Sequence, residues 1–149
     1  MRDLDEALEL LHFGFQRIVR EPDAILAKQG LSRVHHRILY FVRTRGPLTP
    51  TALGEVLGVS KQALHGPLGE LTAKELVIAR VSPKDARRRL LQLTSRGREL
   101  ERSLSGIQRG LFEHAFDTVG RRSERGFRDV MRALAGAGPL RERPAKSSR

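Results

Sequence analysis

The densest group of chemically capable side chains lies between positions 84 and 89, where four cations surround one carboxylate. Lys84, Arg87, Arg88 and Arg89 are the cations, and Asp85 is the carboxylate. Cations at this density repel one another unless a polyanion or a carboxylate lies close by. The segment therefore predicts a surface that binds a polyanion, and a solvated basic hairpin is the alternative.

A second group of polar side chains follows a very short break between two helical patterns, and it consists of Lys61, Gln62, Ala63 and His65. Residues in the first turn of a helix reach base edges when that helix enters the major groove of DNA. There Gln62 can bond adenine, Lys61 can reach guanine or a phosphate, and the methyl group of Ala63 can contact thymine. Ordinary solvated helix residues are the alternative.

Two hydroxyl residues, Thr49 and Ser60, stand directly before helical patterns. Each can cap a helix by accepting a hydrogen bond from a free backbone N–H group. Each hydroxyl, with the N–H groups beside it, can also hold a phosphate. Capping needs only the helix itself, whereas phosphate binding needs a nucleic acid, and both interpretations stay open.

The charge balance of the whole chain favours the same kind of partner. Its 149 residues include 28 Lys and Arg against 17 Asp and Glu, a formal net charge of +11. Nucleic acid and an anionic membrane surface both fit such a charge, but the apolar runs are far too short to span a bilayer. The N-terminus has no apolar signal segment, so we expect a cytoplasmic protein without a membrane partner.

The residue patterns of catalytic and metal sites are missing from the sequence. It has no cysteine, and none of its five histidines has another three or four residues away, the spacing of metal ligands on a helix. A glycine-rich phosphate loop, a nucleophile elbow and clustered carboxylates are missing as well. We therefore expect no enzymatic activity, no metal and no cofactor.

Apolar residues at spacings of three and four predict two helices in the first third of the chain. The first stripe begins at Leu4 and reaches Ile18. We expect that helix to end at Pro22, because proline lacks the backbone N–H group. Ser32 predicts the start of a second helix, and Gly46 with the proline after it predicts the end.

Two short helices with a very tight turn between them come next. Thr49 and Pro50 predict the start of the first and Gly58 its end. Ser60 predicts the start of the second, which continues toward Leu76. This arrangement is typical of a helix-turn-helix.

Beyond Leu76 the pattern changes from helical to strand-like. Residues 77–81 and 90–93 predict a two-stranded hairpin, with a polar turn that starts at Ser82. Continued alternation would place Arg87 and Arg89 on one face of the second strand and Arg88 on the other.

The rest of the chain returns to helical spacing. Thr94 predicts the start of a long helix, and Ser123 predicts the start of a last one. Residues 139–149 predict a disordered basic tail. No internal repeat or interior linker divides the chain, so we expect a single domain over residues 1–138.

Two motifs in this order resemble the MarR family of regulators. They are Gly46-Pro47-Leu48-Thr49 running to Leu57-Gly58-Val59-Ser60, and Asp85-Ala86-Arg87 followed by Leu93-Thr94-Ser95-Arg96-Gly97. The resemblance covers residues 31–104 closely. It implies a mainly α (α+β) winged helix-turn-helix fold with a two-stranded wing, a DNA-binding lobe over about 31–94, and dimerisation helices over about 3–20 and 95–136.

The resemblance also implies roles for individual residues. Asp85 orients the wing, and Arg87 enters the minor groove at its tip, where a narrow groove concentrates negative potential. Small, often aromatic, effectors bind in a cleft between the lobes of this family. Four residues of the first two helices can line that cleft: His12, Phe15, His36 and Tyr40. Packing in the core or at an interface is the alternative for these four.

The sequence departs from the family pattern in two places. The recognition helix usually carries an arginine or a similar polar side chain where this chain reads Ala63-Leu64-His65-Gly66-Pro67. Proline tends to bend a helix, so we expect a different base preference. The family commonly has glycine where this chain has Glu75; a left-handed cap is strained there, and we expect a different cap geometry.

Together these features predict a homodimeric repressor that binds double-stranded DNA at a near-palindromic operator and is released by a small aromatic effector. A nonspecific architectural DNA-binding protein is the alternative, and the Gly66-Pro67 pair gives it some support. A winged helix that docks on another protein is a third hypothesis, which the arginine-rich wing disfavours.

Overall fold

The computed structural model describes residues 3–136, so the predicted tail over residues 139–149 lies outside the described residues. Six helices and one hairpin follow one another in the predicted order, and the mainly α winged helix-turn-helix fold is confirmed. The elements are α1 (Leu4–Ala27), α2 (Arg33–Arg45), α3 (Pro50–Leu57), α4 (Lys61–Ala73), β1 (Val77–Val81), β2 (Arg89–Leu93), α5 (Ser95–Val119) and α6 (Arg121–Ala135).

The first helix is longer than the sequence predicted, because α1 continues through Pro22 to Ala27. Pro22 cannot donate a hydrogen bond to the carbonyl of Ile18, four residues before it. However, Pro22 and Leu26 are fully buried, and burying a leucine side chain contributes about 1.5–3 kcal/mol. This burial offsets the lost hydrogen bond, and the expected end at Pro22 was wrong.

The third and fourth helices form the predicted helix-turn-helix. Thr49 Oγ1 accepts a hydrogen bond from the Ala52 N–H group, and Ser60 Oγ accepts one from the Ala63 N–H group, both at 3.1 Å. Gly58 ends α3 with φ 67, a left-handed conformation that glycine adopts without steric cost. The predicted caps and turn are confirmed.

The end of α4 has a left-handed cap without glycine. The Leu76 N–H group donates to the Leu71 carbonyl, and the Glu75 N–H group donates to the Thr72 carbonyl, both at 3.0 Å. These two bonds define a Schellman motif, and Glu75 accordingly has φ 58. Leu71 and Leu76 belong to the buried core, which holds the motif closed despite the strain. The expected change of cap geometry was therefore wrong.

The hairpin pairs β1 with β2 in antiparallel register, from Val77 opposite Leu93 to Val81 opposite Arg89. Leu48 adds a single bridge to this sheet, because its carbonyl accepts a hydrogen bond from the Leu91 N–H group at 2.8 Å. The sequence did not predict this bridge, which ties the segment before α3 to the wing.

The buried core lies in the predicted DNA-binding lobe and receives residues from α1 to α5. Gly97 lets the first turn of α5 approach the end of α4. A Cβ atom at position 97 would lie 1.9 Å from the Leu76 carbonyl oxygen, far inside van der Waals contact. The glycine is therefore required by space.

The last helix begins earlier than predicted. Gly120 has φ 83, and α6 starts directly after it at Arg121. The Glu124 N–H group donates to the Gly120 carbonyl at 3.1 Å, so the helix has already formed before Ser123. The expectation that Ser123 caps α6 was wrong.

The outer helices leave rows of large apolar side chains exposed at helical spacing. In α1 these are Leu4, Leu8, Leu11 and Phe15, with exposed fractions of 48–65%; in α6 they are Phe127, Val130, Met131 and Leu134, with 36–64%. We call these rows the outer apolar faces. Within residues 3–136 of one chain, neither face is buried.

Candidate nucleic-acid interface

The first turn of α4 presents every predicted base-reading residue to solvent. Lys61, Gln62, Ala63 and His65 are exposed, whereas Leu64 between them is buried. Leu64 and, two turns later, Leu71 belong to the core. The helix is thus fixed by one face while the other stays free, which is the arrangement that entry into the major groove requires.

The hydroxyls of Thr49 and Ser60 are both occupied as caps within the chain. Each accepts one backbone hydrogen bond, and a hydroxyl oxygen has a second lone pair and a proton to offer. The capping interpretation is therefore confirmed, and contact with a phosphate stays a prediction for both residues.

The wing tip is organised around Asp85. Its Oδ1 accepts a hydrogen bond from the Arg87 N–H group at 3.0 Å, and its main-chain carbonyl accepts one from the Arg88 N–H group at 3.0 Å. Asp85 also lies 3.5 Å from Arg87 Nε and 3.8 Å from Arg88 Nε. The carboxylate thus fixes the backbone of the turn and reduces the repulsion between two cations.

The position of Arg87 and Arg88 differs from the strand-based prediction. Both lie in the turn before β2, which begins at Arg89, and both approach Asp85. The expected alternation of faces across Arg87, Arg88 and Arg89 was wrong, because a turn does not follow the period of a strand. The Arg87 side chain is 92% exposed, so most of its guanidinium is free to meet another molecule.

The middle of α4 carries little side-chain bulk. The helix continues through Pro67, which leaves the Ala63 carbonyl without its helical donor. Within residues 3–136, a Cβ atom at Gly66 or at Gly69 would meet no atom within 4 Å apart from its chain neighbours and the backbone of its own helix. Neither glycine is therefore required by the packing of this chain.

Three of the four predicted effector residues line one cavity. Phe15, His36 and Tyr40 surround a space of about 340 Å³ between α1, α2 and α5. Its other lining residues are Val19, Arg33, Arg37, Phe41 and Gln108. His12 does not line this cavity, because its side chain leaves α1 in a different direction from that of Phe15. It is exposed, with its Nε2 2.9 Å from Gln16 Nε2. We call this space the aromatic cavity.

A buried polar network leads away from the aromatic cavity. His36 Nε2 lies 3.2 Å from Ser105 Oγ, and that hydroxyl donates to Glu101, which is fully buried and pairs with Arg43. Because Ser105 gives its only proton to Glu101, its oxygen accepts from His36, which must carry a proton on Nε2. Burial lowers the pKa of His36 against the opposing attraction of Glu101 and Asp23, which favours this neutral form.

No pattern in the sequence indicated Arg43, Glu101 or Ser105 as site residues. Glu101 lies in the predicted long helix, one position after Leu100 of its apolar stripe. A charged residue beside such a stripe is usually solvated. Only the packing of α2 against α5 shows that it is buried, and its partner Arg43 on α2 stays partly exposed, so no signal in the sequence marked the pair.

Within residues 3–136, no three metal-ligating side chains come together. None of the helices in that range is both long and apolar enough to cross a bilayer.

A model of the MarR family matches residues 29–88, from the loop after α1 to the wing turn. The HTH-type transcriptional regulator PetP of Rhodobacter capsulatus is 38% identical over 131 residues, which cover 88% of this chain and 79% of PetP.

Solved structures share the fold. NadR in complex with 4-hydroxyphenylacetate superposes with a TM-score of 0.70 at 20% identity, over 92% of this chain and 95% of NadR. A variant of MepR from S. aureus, bound to an oligodeoxyribonucleotide, superposes with a TM-score of 0.60 at 14% identity, over 90% of this chain and 96% of the MepR chain. The family match, the identity to PetP and the shared fold lead to one conclusion: the chain belongs to the MarR family of winged helix-turn-helix transcriptional regulators.

Proposed function

We propose that this regulator is a homodimeric, sequence-specific repressor that binds a near-palindromic operator. The observation that carries the proposal is the first turn of α4, where four candidate residues are exposed on a helix that Leu64 and Leu71 fix in the core. Rigid placement is what direct readout of base edges demands. MepR, which has the same fold, was solved with an oligodeoxyribonucleotide.

The wing supports the same function. In the proposal, Arg87 enters the minor groove, and Lys84, Arg88 and Arg89 lie near phosphates. Asp85 holds the turn in shape through its bond to the Arg87 N–H group. Thr49 and Ser60 add phosphate contacts beside the helix N-termini that they cap.

Dimerisation accounts for the outer apolar faces. Large patches of this kind are rare on monomers and mark protein interfaces. Both faces lie on helices that the resemblance assigns to dimerisation, and a second copy supplies a matching surface of the same composition. A dimer places two α4 helices against half-sites about 34 Å apart, one turn of the DNA helix.

Release by an effector is the regulatory part of the proposal. The aromatic cavity offers Phe15, Tyr40 and Phe41 to a ring, and Arg37 to a carboxylate. Arg33 also lines it but already pairs with Asp23 at 2.7 Å. NadR, which has the same fold, was solved with 4-hydroxyphenylacetate. A ligand in this cavity contacts α1, α2 and α5 together, so it favours one spacing of the lobes over another. No catalytic step is part of this function.

The test is a selection from random duplex DNA at physiological salt, followed by binding of the winning duplex in excess nonspecific competitor. The proposal predicts an inverted repeat and an affinity that survives the competitor. An A·T-tolerant pool without a repeat contradicts it.

That contrary result would favour the second candidate, an architectural DNA-binding protein. One observation supports this candidate: Gly66 and Gly69 leave the middle of α4 with few side chains for base readout. The two functions differ in salt response as well, because nonspecific binding collapses as salt rises.

A further inference from the structure

A second cavity, separate from the aromatic cavity, lies between the end of α2 and α5. It has a volume of about 190 Å³ and is lined by four arginines and one carboxylate: Arg43, Arg98, Arg102, Arg109 and Glu101. The two cavities share no lining residue. We call it the arginine cavity.

Two of the four guanidinium groups are held in place by the protein. Arg43 pairs with Glu101, whose side chain has no exposed surface. Arg98 donates from Nη1 to the Leu93 carbonyl at 2.9 Å. Both groups are therefore preorganised, because their partners fix them before any ligand arrives.

The other two guanidinium groups have no such partner. Among residues 3–136, Arg102 and Arg109 form no ion pair with a carboxylate. They lie seven residues apart on α5 and so share one face of that helix. One carboxylate cannot balance four cations, and the excess positive charge favours an anion between them.

We propose that the arginine cavity binds a small polyvalent anion, one that carries two or more carboxylate or phosphate groups. Guanidinium groups form paired hydrogen bonds with the oxygens of both chemical groups. An anion with a single charge would leave cations unbalanced, and a DNA strand cannot place several phosphates in one recess of this size. The site therefore goes beyond the proposed binding of DNA and of an aromatic effector.

The network through Glu101 connects the two cavities. Glu101 pairs with Arg43 in the arginine cavity and accepts from Ser105, which contacts His36 in the aromatic cavity. An anion in the arginine cavity shares the fixed Arg43 guanidinium with Glu101 and so weakens that pairing. Occupation of one cavity thereby changes the hydrogen bonding at the wall of the other.

The experiment is a calorimetric titration of the 149-residue protein, without DNA and at constant ionic strength, with pyrophosphate in one arm and citrate in the other. We expect saturable binding of one ion per chain in at least one arm. Binding in the pyrophosphate arm alone identifies a phosphate ligand, and binding in the citrate arm alone identifies a polycarboxylate. The double variant Arg102→Gln/Arg109→Gln should weaken binding about tenfold or more, since it removes charge-assisted hydrogen bonds.

The matched control is Arg122→Gln/Arg125→Gln, which removes the same charge from exposed positions of α6 and should retain the affinity. Equal binding by both double variants, or no binding of either ion by the natural chain, overturns the proposal.

The same proteins distinguish two other roles for these arginines, and either role would contradict the proposal. If Arg102→Gln/Arg109→Gln dissociates the dimer, the partner chain's carboxylates occupy the cavity; if it lowers the salt dependence of DNA binding, the two arginines contact DNA instead. Both results can be obtained whether or not DNA binding is sequence-specific, so failure of this proposal is distinguishable from failure of the proposed function.

Discussion

Thr94 Oγ1 donates a hydrogen bond to the main-chain carbonyl of Glu75 at 2.7 Å. The same threonine caps α5 by accepting from the Gly97 N–H group at 3.0 Å. The left-handed residue that ends the recognition helix α4 is thus bound directly to the residue that starts the helix leading to α6. Displacement of α5 therefore acts on the end of α4 through this side chain, in addition to the contact of Gly97 with the Leu76 carbonyl.

Glu75→Gly should stabilise the protein by about 0.5–1 kcal/mol, because glycine adopts a left-handed conformation without the cost that a β-carbon adds. Urea unfolding at fixed protein concentration measures the change. Glu75→Ala is the control: it removes the same side chain and its exposed pairing with Arg96 but keeps the strain, so it should give no gain. Equal stabilisation by both variants would show that the side chain, not the backbone, is responsible.

Gly97→Ala should destabilise the protein by about 2–3 kcal/mol, since the new methyl group forces α5 away from the Leu76 carbonyl. Gly69→Ala is a matched change in a helix where, among residues 3–136, the methyl group meets nothing within 4 Å beyond the backbone of α4. It should instead stabilise the chain by about 0.5–1 kcal/mol. The prediction fails if thermal unfolding gives the two variants the same sign.

The stability of the protein should fall as pH decreases below about 6.5, in part because of His36. Burial lowers the pKa of this side chain in the folded state, so the unfolded chain binds more protons in that range and gains stability relative to the folded one. His36→Gln keeps a donor near Ser105 but does not titrate. Its unfolding free energy should depend less on pH, and an unchanged slope would exclude His36 as a contributor.

Much of the fold could be predicted from the sequence because its signals are local. Thr49, Ser60 and Thr94 each mark a helix start, and the structure has all three as caps. The helix end predicted at Pro22 and the helix start predicted at Ser123 were wrong for a shared reason. Burial of Leu26 outweighed the local signal in the first case, and the conformation of Gly120 outweighed it in the second. The conformational preference of a single residue does not decide where a helix ends when packing or a chain reversal contributes more free energy.

The candidate site was predictable only in part. The exposed turn of α4 and the cations of the wing follow from contiguous residues, so their pattern is visible in the chain. The arginine cavity is not, because Arg43 and the arginines of α5 are far apart in sequence and meet only when α2 packs on α5. The prediction that His12 lines the cavity was wrong, because helical spacing shows which residues share a face of a helix but not which element packs against that face.

The proposed function depends on base readout by the first turn of α4. The most direct measurement compares Gln62→Ala with the natural protein on the selected duplex and on a scrambled duplex, at one salt concentration. Loss of a side chain that contacts a base should cost about 1–3 kcal/mol on the selected duplex and leave affinity for the scrambled duplex unchanged. Equal loss on both duplexes, or no loss on either, would contradict the claim.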